Sequence, residues 1–222
     1  ARVTIVEKGQ INSSGCCGGG QDHFEAHLNT GPEWDTGEAA TNYYAGPGWG
    51  ASKKMVEKTF TNVVIPMVKR MEDMGIEFFK TGDGLYWRTE ALGTPGPWHM
   101  MMKDGEHVKR KMAAKVREAG ADVVEHVMVT RLLVNNGRVA GAVGFDIKNG
   151  DLYVFRGRSV VLAMGSHQSR WSTNSTGNPF NIWQYPYNTG TQVVVAYDAG
   201  AKVVHVEKCV QTTIPKGFGA PG

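Results

Sequence analysis

Two short stretches near the start of the chain decide the fold: Val3-Thr4-Ile5-Val6-Glu7-Lys8 and Ser13-Ser14-Gly15-Cys16-Cys17-Gly18-Gly19-Gly20. The first is rich in β-branched residues, which predicts a strand. Glu7 ends that strand, where the carboxylate of a dinucleotide-binding unit accepts hydrogen bonds from ribose hydroxyls. The small residues of the second stretch let backbone amides approach a planar or phosphorylated ligand. Taken alone, each also fits an ordinary surface glutamate or a flexible loop.

Composition indicates a globular protein with one sizeable core. The 222 residues are 41% hydrophobic, and 24 basic against 21 acidic side chains give a net charge of +3. These charges are scattered, so we expect no nucleic-acid partner. No apolar run approaches the ~20 residues of a membrane helix, and no basic-then-apolar leader opens the sequence. We therefore expect no transmembrane segment and a cytoplasmic location.

The three cysteines do not have metal-site spacing. Cys16 and Cys17 are adjacent and Cys209 is far away, which matches neither a zinc site nor an iron–sulfur cluster. We expect no metal centre in the chain. The adjacent pair has two interpretations, a vicinal disulfide or redox pair and two small apolar residues beside a ligand, and the second is favoured.

The sequence of the first half of the chain predicts helices that are separated by irregular segments. A polar, irregular stretch reaches about Gly50, and a helical pattern follows from Met55 to Met74, with Pro66 as a kink and Gly75 as the C′ residue. The remaining predictions are strand and turn at Glu77–Gly84, an irregular segment at Leu85–Gly105, and a helix at Glu106–Ala119 ending on Gly120.

The second half predicts strands. They are Val123–Thr130, Leu132–Val134, Val139–Asp146 and Leu152–Phe155, joined by turns at Asn135-Asn136-Gly137 and Asn149-Gly150. The apolar run Ser159–Ala163 predicts a buried parallel strand that opens onto a ligand at Met164-Gly165. Thr191–Ala199 predicts a helix ended by Gly200, and Lys202–Val206 a last strand.

These segments, in this order, resemble the flavoprotein subunits of adenylylsulfate reductase and, more distantly, of fumarate reductase and succinate dehydrogenase. The opening stretches are similar to that family's "V-T-L-V-E-K … S-G … G" passage. Arg131–Phe145 and Val160–Gly165 are similar to its strand meander and closing strand, and Asn188-Thr189-Gly190 with Ala199-Gly200-Ala201 to a later flavin-contacting turn and helix. The similarity covers most of the chain, although no single motif is decisive.

The resemblance implies an α/β, Rossmann-like FAD-binding domain with a three-stranded β-meander. We expect residues 1–222 to be a partial domain, without the first strand and the capping domain, and with an irregular and helical insertion at about 22–120. The cofactor would be FAD. The residues that the resemblance places on it are Glu7, Lys8, Ser13, Ser14, Gly15, Gly20, Met128, Val129, Ala163, Met164, Gly165, Asn188, Thr189 and Gly190.

Among these residues, Glu7 would bind the adenosine ribose, the Ser13–Gly15 loop would lie along the flavin, and backbone groups at Met128 or Val129 would flank the adenine. Ala163, Met164 and Gly165 would pass near the adenosine half. Asn188, Thr189 and Gly190 would lie nearer the isoalloxazine.

Three residues are candidates for the substrate side. Glu25 aligns with a family Asn near the flavin ring, His99 follows Trp98, and Trp183 stands where the sulfur-metabolism relatives carry a Trp near the flavin. His99 has a purely structural alternative, and Trp183 can equally be a packing aromatic.

The resemblance does not extend to the residues that bind the substrates of the family. Val210-Gln211-Thr212-Thr213 stands in place of the fumarate reductases' "V-Q-F-H", so Thr213 replaces their substrate-binding His, and the Arg of adenylylsulfate reductases is also missing. Lys216 or His205 could compensate. We expect neither fumarate nor adenylylsulfate to be the substrate, because both need cations or strong donors.

The functional hypothesis is an FAD-dependent oxidoreductase that transfers a hydride between flavin N5 and an organic or sulfur substrate, and exchanges electrons with an iron–sulfur subunit. The alternative is an FAD-holding electron-transfer or structural subunit without substrate chemistry. An NAD(P)-binding module is disfavoured, because a meander before the closing strand fits the larger FAD-type domain better.

Overall fold

The computed structural model describes residues 1–47, 49–90, 93–165, 185 and 187–206. These residues fall into two units. The first unit comprises the described residues of 1–19 and 113–206, and the second unit comprises those of 20–112.

The described strands are β1 (Thr4–Val6), β2 (His23–Glu25), β3 (Arg88–Thr89), β4 (His99–Met101), β5 (Asp122–Val124), β6 (Val127–Asn135), β7 (Arg138–Asp146) and β8 (Leu152–Arg156). The α-helices are α1 (Gly37–Ala45), α2 (Lys53–Val56), α3 (Val64–Asp73), α4 (Val108–Glu118) and α5 (Thr191–Asp198). Short 3₁₀ helices span Cys16–Gly19, Glu33–Asp35 and Gly105–His107, and a π-helix spans Glu57–Thr61.

The first unit contains a parallel pair and an antiparallel meander. Strand β1 pairs in parallel with β5, and β6, β7 and β8 form a three-stranded antiparallel sheet in that order. Leu132 and Ala142 of this sheet pack against Val195 of α5 in a small apolar cluster. The predicted meander and the predicted helix before Gly200 are therefore confirmed.

Three strand predictions in this unit were wrong. The predicted strand Val123–Thr130 is two strands, because β5 pairs with β1 whereas β6 pairs with β7, and His126 between them has a φ of 65°. Ser159–Ala163 and Lys202–Val206 carry no strand. Their apolar content was misleading, because a strand also needs a paired neighbour, and Val161 is 88% exposed.

The second unit has an apolar core between its helices and a three-stranded antiparallel sheet. In this sheet β4 lies between β2 and β3, and all pairs are antiparallel. Val64, Val68 and Met71 project at helical spacing from α3 and pack with Ile76 and Met100. This confirms the predicted apolar face of the helix.

The break in the predicted Met55–Met74 helix lies earlier than Pro66. The π-helix ends at Thr61, Val63 is the N-cap of α3, and Pro66 is the third residue of α3. A proline fits there because the first amides of a helix have no intrahelical acceptor. Glycines end the helices as predicted, with φ of 82° at Gly75 and 75° at Gly120.

The stretch predicted to be irregular up to Gly50 contains β2 and α1. The Thr36 hydroxyl caps α1 by accepting a hydrogen bond from the amide of Ala39 at 3.1 Å. This helix was missed because its aromatic residues, such as Tyr43 and Tyr44, do not follow a long apolar period. The segment Leu85–Gly105 was likewise predicted irregular and contains β3 and β4.

A buried ion pair fixes the loop before α1. Asp35 is completely buried and accepts hydrogen bonds from the amides of Leu28 (2.8 Å) and Thr30 (2.9 Å), while Arg88 binds both carboxylate oxygens, at 2.8 and 3.1 Å. Burial alone would raise the pKa of Asp35, but hydrogen bonds from Arg88 and Thr30 outweigh it and hold the pKa below its ordinary value. The Arg88 guanidinium also lies 4.8 Å from the ring of Trp34.

None of the helices in the described ranges has both the length and the apolar character required to cross a membrane.

Candidate functional site

The first unit places an acidic side chain at the carboxyl end of a parallel strand. The amide of Glu7 donates to the carbonyl of Val124 (2.9 Å), and the Glu7 carbonyl accepts from the amide of Val127 (3.0 Å). The Glu7 carboxylate accepts a hydrogen bond from the amide of Gly9 at 2.8 Å. The bonds of the Glu7 amide and carbonyl, together with this turn, thus fix the carboxylate at the strand end, where α/β folds bind ligands.

The loop that follows is tightly folded. The amides of Ser13 and Ser14 both donate to the carbonyl of Gln10, at 3.1 and 2.9 Å, and the Ser14 hydroxyl donates to the same oxygen at 2.7 Å. A Cβ on Gly18 would lie 1.8 Å from the carbonyl oxygen of Ser13, so this position requires glycine. The loop therefore presents backbone with little side-chain bulk, as the sequence predicted.

Residues far apart in sequence meet this loop. The Asn188 amide group donates to the sulfur of Cys16 at 3.3 Å, and the Lys8 ammonium donates to the carbonyl of Tyr187 at 2.5 Å. Gly165 has a φ of 81°, and a Cβ there would lie 2.7 Å from the Asn188 side chain. The strand end, the loop, Gly165 and the turn before α5 therefore form one surface of the first unit.

The turn at residues 188–190 leads directly into α5. Gly190 is buried and is the N-cap of this helix, with a φ of 77°. The side chain of Gln192, in the first turn of α5, donates to the carbonyl of Gly165. This bond ties the start of the helix to the residues after the apolar run, so Asn188, Thr189 and Gly190 lie beside Gly165.

Met128 and Val129 lie on β6, one and two residues after the Val127 amide that binds Glu7. Met128 pairs with Phe145 and Val129 with Gly144 on β7, and a register shift follows Val129. Both residues are partly buried. Their backbone therefore runs close to the strand end that carries Glu7.

Ala163 and Met164 precede Gly165. Met164 is partly buried and Ala163 is exposed. Gly20 belongs to the second unit, where its φ is 121° and an added Cβ would lie 3.2 Å from the Cα of Glu106.

The second unit contains a polar cluster built on β2 and β4. Glu25 and His99 are directly opposite in the register of the two strands, and the His99 imidazole nitrogen Nε2 lies 3.5 Å from Glu25 Oε1. The Tyr44 hydroxyl of α1 donates to Glu25 Oε2 at 2.5 Å. The His23 ring stacks on His99 with centroids 3.9 Å apart, and His23 Nδ1 lies 2.6 Å from a carboxylate oxygen of Asp22.

These contacts set the ionisation of the cluster. Burial would raise the pKa of the Glu25 carboxyl, but the hydrogen bonds from His99 and Tyr44, and the charges of His99 and His23, outweigh it and leave the pKa below its ordinary value. Burial and the neighbouring Glu25 raise the pKa of Tyr44. At neutral pH the cluster therefore holds a carboxylate next to a neutral phenol, and 34% of the Glu25 side chain remains exposed.

The sequence identified Glu25 and His99 but missed Asp22, His23 and Tyr44. A strand over residues 23–25 would have shown that His23 and Glu25 share one face, since side chains alternate. Trp183, Thr213 and Lys216 lie outside the described residues. His205 is exposed, with a φ of 53°, in the segment after α5.

Comparison with known proteins decides the cofactor. The family described as "FAD binding domain" matches residues 1–218. The chain belongs to the FAD-binding domain family. The features of the first unit fit that cofactor: a carboxylate at a strand end for ribose hydroxyls, and backbone at Gly18 and Gly165 where a side chain would clash. FAD is accordingly the cofactor of this family member.

Curated relatives include components of two reductases. The chain is 28% identical over 134 residues to the alpha subunit of the adenylylsulfate reductase of Megalodesulfovibrio gigas, an alignment that covers 57% of this chain and 20% of the relative. It is 24% identical over 209 residues to one of the subunits of the fumarate reductase (CoM/CoB) of Methanothermobacter marburgensis, with 92% and 36% covered. The chain therefore spans between a fifth and about a third of the length of these relatives.

Solved structures share the fold. Adenylylsulfate reductase from Archaeoglobus fulgidus matches with a TM-score of 0.72 and 26% identity, covering 90% of this chain and 32% of that one. Mycobacterium smegmatis Sdh1 matches with a TM-score of 0.69 and 22% identity, covering 89% and 34%. The chain thus has the mixed α/β fold of the FAD-binding part of flavoprotein subunits, and the predicted resemblance is confirmed.

Proposed function

We propose that this chain is the FAD-holding part of an oxidoreductase flavoprotein subunit, in which a hydride passes between flavin N5 and an organic or sulfur substrate. The observation that carries the proposal is the surface of the first unit that joins Glu7, the Gln10–Gly19 loop, Gly165 and Asn188. FAD supplies the hydride chemistry, and the chain binds and orients it.

Each part of this surface has a role in the proposal. The Glu7 carboxylate accepts hydrogen bonds from the ribose, with Lys8 beside it, and Ser13, Ser14 and Gly15 line the flavin. The strand and loop hydrogen bonds around Glu7 and Gln10 support these roles, because they hold the groups in place before ligand binds.

The other cofactor residues bind through backbone or at turns. Ala163, Met164 and Gly165 pass the adenosine half, and Met128 or Val129 flanks the adenine. Asn188, Thr189 and Gly190 lie toward the isoalloxazine at the start of α5, where helix N–H groups favour a ligand that gains negative charge. Gly20 completes the set as a small residue after the loop. Residues of about 22–120 form an insertion in this domain, and the division of the chain near 20 and 112 supports that boundary.

The substrate side is assigned to the polar cluster of the second unit. We infer that Glu25 and His99 exchange a proton with the substrate, because they are a carboxylate and an imidazole in contact at 3.5 Å. Trp183 is proposed to lie near the flavin. This assignment rests on the resemblance of Glu25 and Trp183 to family positions near the ring.

An iron–sulfur subunit is the proposed electron partner. Both curated relatives are named as subunits, one of adenylylsulfate reductase and one of fumarate reductase. A hydride delivers two electrons at once, so a flavin that turns over needs a carrier to take or supply them. A cytoplasmic location belongs to the same proposal.

A protein that holds FAD without substrate chemistry is the second candidate, because Thr213 stands where fumarate reductases have their substrate-binding His. One experiment separates the two. The whole protein is purified, its flavin is identified, and anaerobic bleaching of the flavin band is followed with organic and sulfur donors. The proposed function expects bound FAD that specific donors reduce. Bound FAD that no donor reduces supports the second candidate, and protein without FAD refutes both.

A further inference from the structure

Among the described residues, β6 and β8 are the edge strands of the meander in the first unit, and the two edges differ. Register shifts interrupt the pairing of β6 with β7 after Val129 and after Leu133, whereas β8 pairs with β7 without a shift from Leu152 to Arg156. Bulges are one of the means by which proteins prevent an edge strand from pairing with another chain. The edge at β8 is therefore the more regular template for a further strand.

Apolar side chains of β8 are exposed on one face of this sheet. The face that packs on α5 includes Ala142, and Phe155 shares that face because the two residues are directly opposite in register. Side chains alternate along a strand, so Leu152 and Val154 project from the other face, where they are 75% and 58% exposed. Phe145, opposite Leu152 on β7, is exposed as well. Exposed apolar residues on an edge strand are typical of an interface.

The backbone of β8 offers hydrogen-bonding groups on the side away from β7. The carbonyl of Asp151 accepts from the amide of Asp146, and the amide of Gly157 donates to the carbonyl of Ala140, so Asp151 and Gly157 both face β7. Backbone groups point to alternate sides of a strand. Every second residue of β8 therefore directs its amide and carbonyl away from β7. These residues are Leu152, Val154 and Arg156.

A second copy of the same strand fits this edge. We propose that two copies of the chain associate through β8, with the two strands antiparallel around a two-fold axis at Val154. This register pairs all five residues of β8 with β8 of the second copy, and it places Leu152 opposite Arg156 and Tyr153 opposite Phe155. Opposed residues with outward backbone groups exchange both hydrogen bonds, so the two meanders become one continuous sheet. The association is independent of the proposed function.

The side chains in this register are complementary. Tyr153 and Phe155 stack within each strand at 5.9 Å between centroids, and each lies beside the other residue's ring in the second copy, a favourable cross-strand pair. Arg156 lies opposite Leu152, whose exposed side chain its aliphatic stem can cover. An axis centred on Arg156 would instead place like charges directly opposite each other, which is destabilising. The axis at Val154 therefore combines the largest overlap of β8 with no opposed like charges inside the strand.

The expected dimer is weak. Its interface consists of one five-residue strand from each copy, and interfaces of this kind belong to the small class that buries less than ~1,200 Å². We expect a dissociation constant of about 1–100 µM. The dimer should therefore form and dissociate as the protein concentration crosses this range.

The test measures sedimentation velocity of the whole protein, as purified, from about 1 to 300 µM, which brackets the expected dissociation constant. Val154→Lys places two like charges opposite each other at the axis and should weaken association about ten-fold. Val134→Lys is the matched control, since it makes the same change at a 48% exposed valine of β6. It should leave the dissociation constant within about 2-fold of the native value.

A charge exchange identifies the axis and separates lost association from lost folding. Val154→Glu alone should weaken association as Val154→Lys does, whereas an equimolar mixture of the two variants should restore the dimer, because opposite charges then face each other. The register has a test of its own. Leu152→Glu should associate about ten-fold more tightly than Leu152→Lys, because residue 152 faces Arg156 of the second copy.

The outcomes decide between the two-fold pairing and other arrangements. A dimer that Val154→Lys weakens, that Val134→Lys leaves intact and that the mixed variants restore supports the inference. A protein that stays monomeric at every concentration, or a dimer that Val154→Lys and Val134→Lys affect equally, overturns it, and a mixture that stays monomeric overturns the axis at Val154. The flavin absorbance of the same samples is read separately, so protein without FAD counts against the proposed function and not against the dimer.

Discussion

Replacement of Glu7 tests the strand-end carboxylate directly. Its carboxylate is held by the Gly9 amide at 2.8 Å and stands at the end of β1, which pairs in parallel with β5. Hydrogen bonds to a charged group contribute about 1.5–3 kcal/mol, so Glu7→Ala should weaken FAD binding about 10- to 150-fold. Glu7→Gln keeps a neutral acceptor and should fall between Ala and the native protein. The dissociation constants are measured by quenching of flavin fluorescence during titration of the whole apoprotein.

Glu125 supplies the matched control. It accepts a hydrogen bond from the amide of Ile11 at 2.8 Å and so holds the same loop without the proposed ribose contact. Glu125→Gln keeps that acceptor and should leave FAD affinity within about 2-fold of the native value. Thermal unfolding of each apoprotein separates a lost ligand contact from a loosened loop. A Glu7→Ala protein that folds normally and binds FAD with native affinity would refute the reasoning.

Four further predictions follow from contacts and ionisation. Asp35→Asn leaves the Arg88 guanidinium, which is only 11% exposed, without its carboxylate, so it should lower the free energy of unfolding by about 3–5 kcal/mol. The control is Glu118→Gln, in an exposed ion pair of the same 2.8 Å length, which should cost less than ~1 kcal/mol. Urea unfolding measures both changes. The folded-state pKa of Asp35 is lowered, so the stability that its carboxylate contributes is complete above the unfolded-state pKa and is lost as pH falls through the folded-state pKa. The free energy of unfolding, measured from neutral to acid pH, should therefore show a decrease that the Asp35→Asn protein lacks. Gly165→Ala, at a φ of 81° with its Cβ 2.7 Å from the Asn188 side chain, should reduce FAD affinity in the same fluorescence titration. Steady-state assays of the whole protein should give kcat/KM below ~10⁴ M⁻¹s⁻¹ for fumarate, succinate and adenylylsulfate, and a higher value for any of them would contradict the substrate argument.

The meander and the main helices were predictable because their signals are local. Asn136-Gly137 specifies a tight turn between β6 and β7, and β-branched residues recur in both strands, such as Val127 and Val129 in β6 and Val139 and Val143 in β7. The helix that includes α3 carries its apolar residues at helical spacing, and glycine ends it at Gly75. These features need no information about distant residues, so the sequence alone is sufficient.

The wrong predictions concern pairing. The apolar run Ser159–Ala163 has the composition of a buried strand, yet it is unpaired among the described residues and Val161 is 88% exposed. Conversely, β2 and β4 are only three residues long, and each is a strand because the other provides hydrogen-bond partners. Pairing is a property of two segments, and the composition of one segment does not determine it.

In the candidate site, too, features encoded by neighbouring residues were predicted and features that depend on distant residues were missed. Glu7 lies at a strand end and the glycine-rich loop presents backbone, so both are visible in the sequence as a contiguous pattern. Tyr44 was missed, since its role depends on a helix that brings it within 2.5 Å of Glu25, nineteen positions earlier in the chain. His23 was missed for a related reason, because stacking on His99 requires the register of β2 on β4.

This difference between local and long-range signals explains why the cofactor is easier to infer than the substrate. In the proposed function FAD is bound largely by backbone groups and one carboxylate, and a side chain at Gly18 would place its Cβ only 1.8 Å from the backbone oxygen of Ser13. The polar cluster depends on side chains instead: in the proposed resemblance Glu25 stands where the family has Asn, and an amide can donate a hydrogen bond whereas an ionised carboxylate only accepts. A single side-chain change in such a cluster therefore alters which substrate groups it can bind while the fold stays the same, so a family resemblance predicts the cofactor better than the substrate.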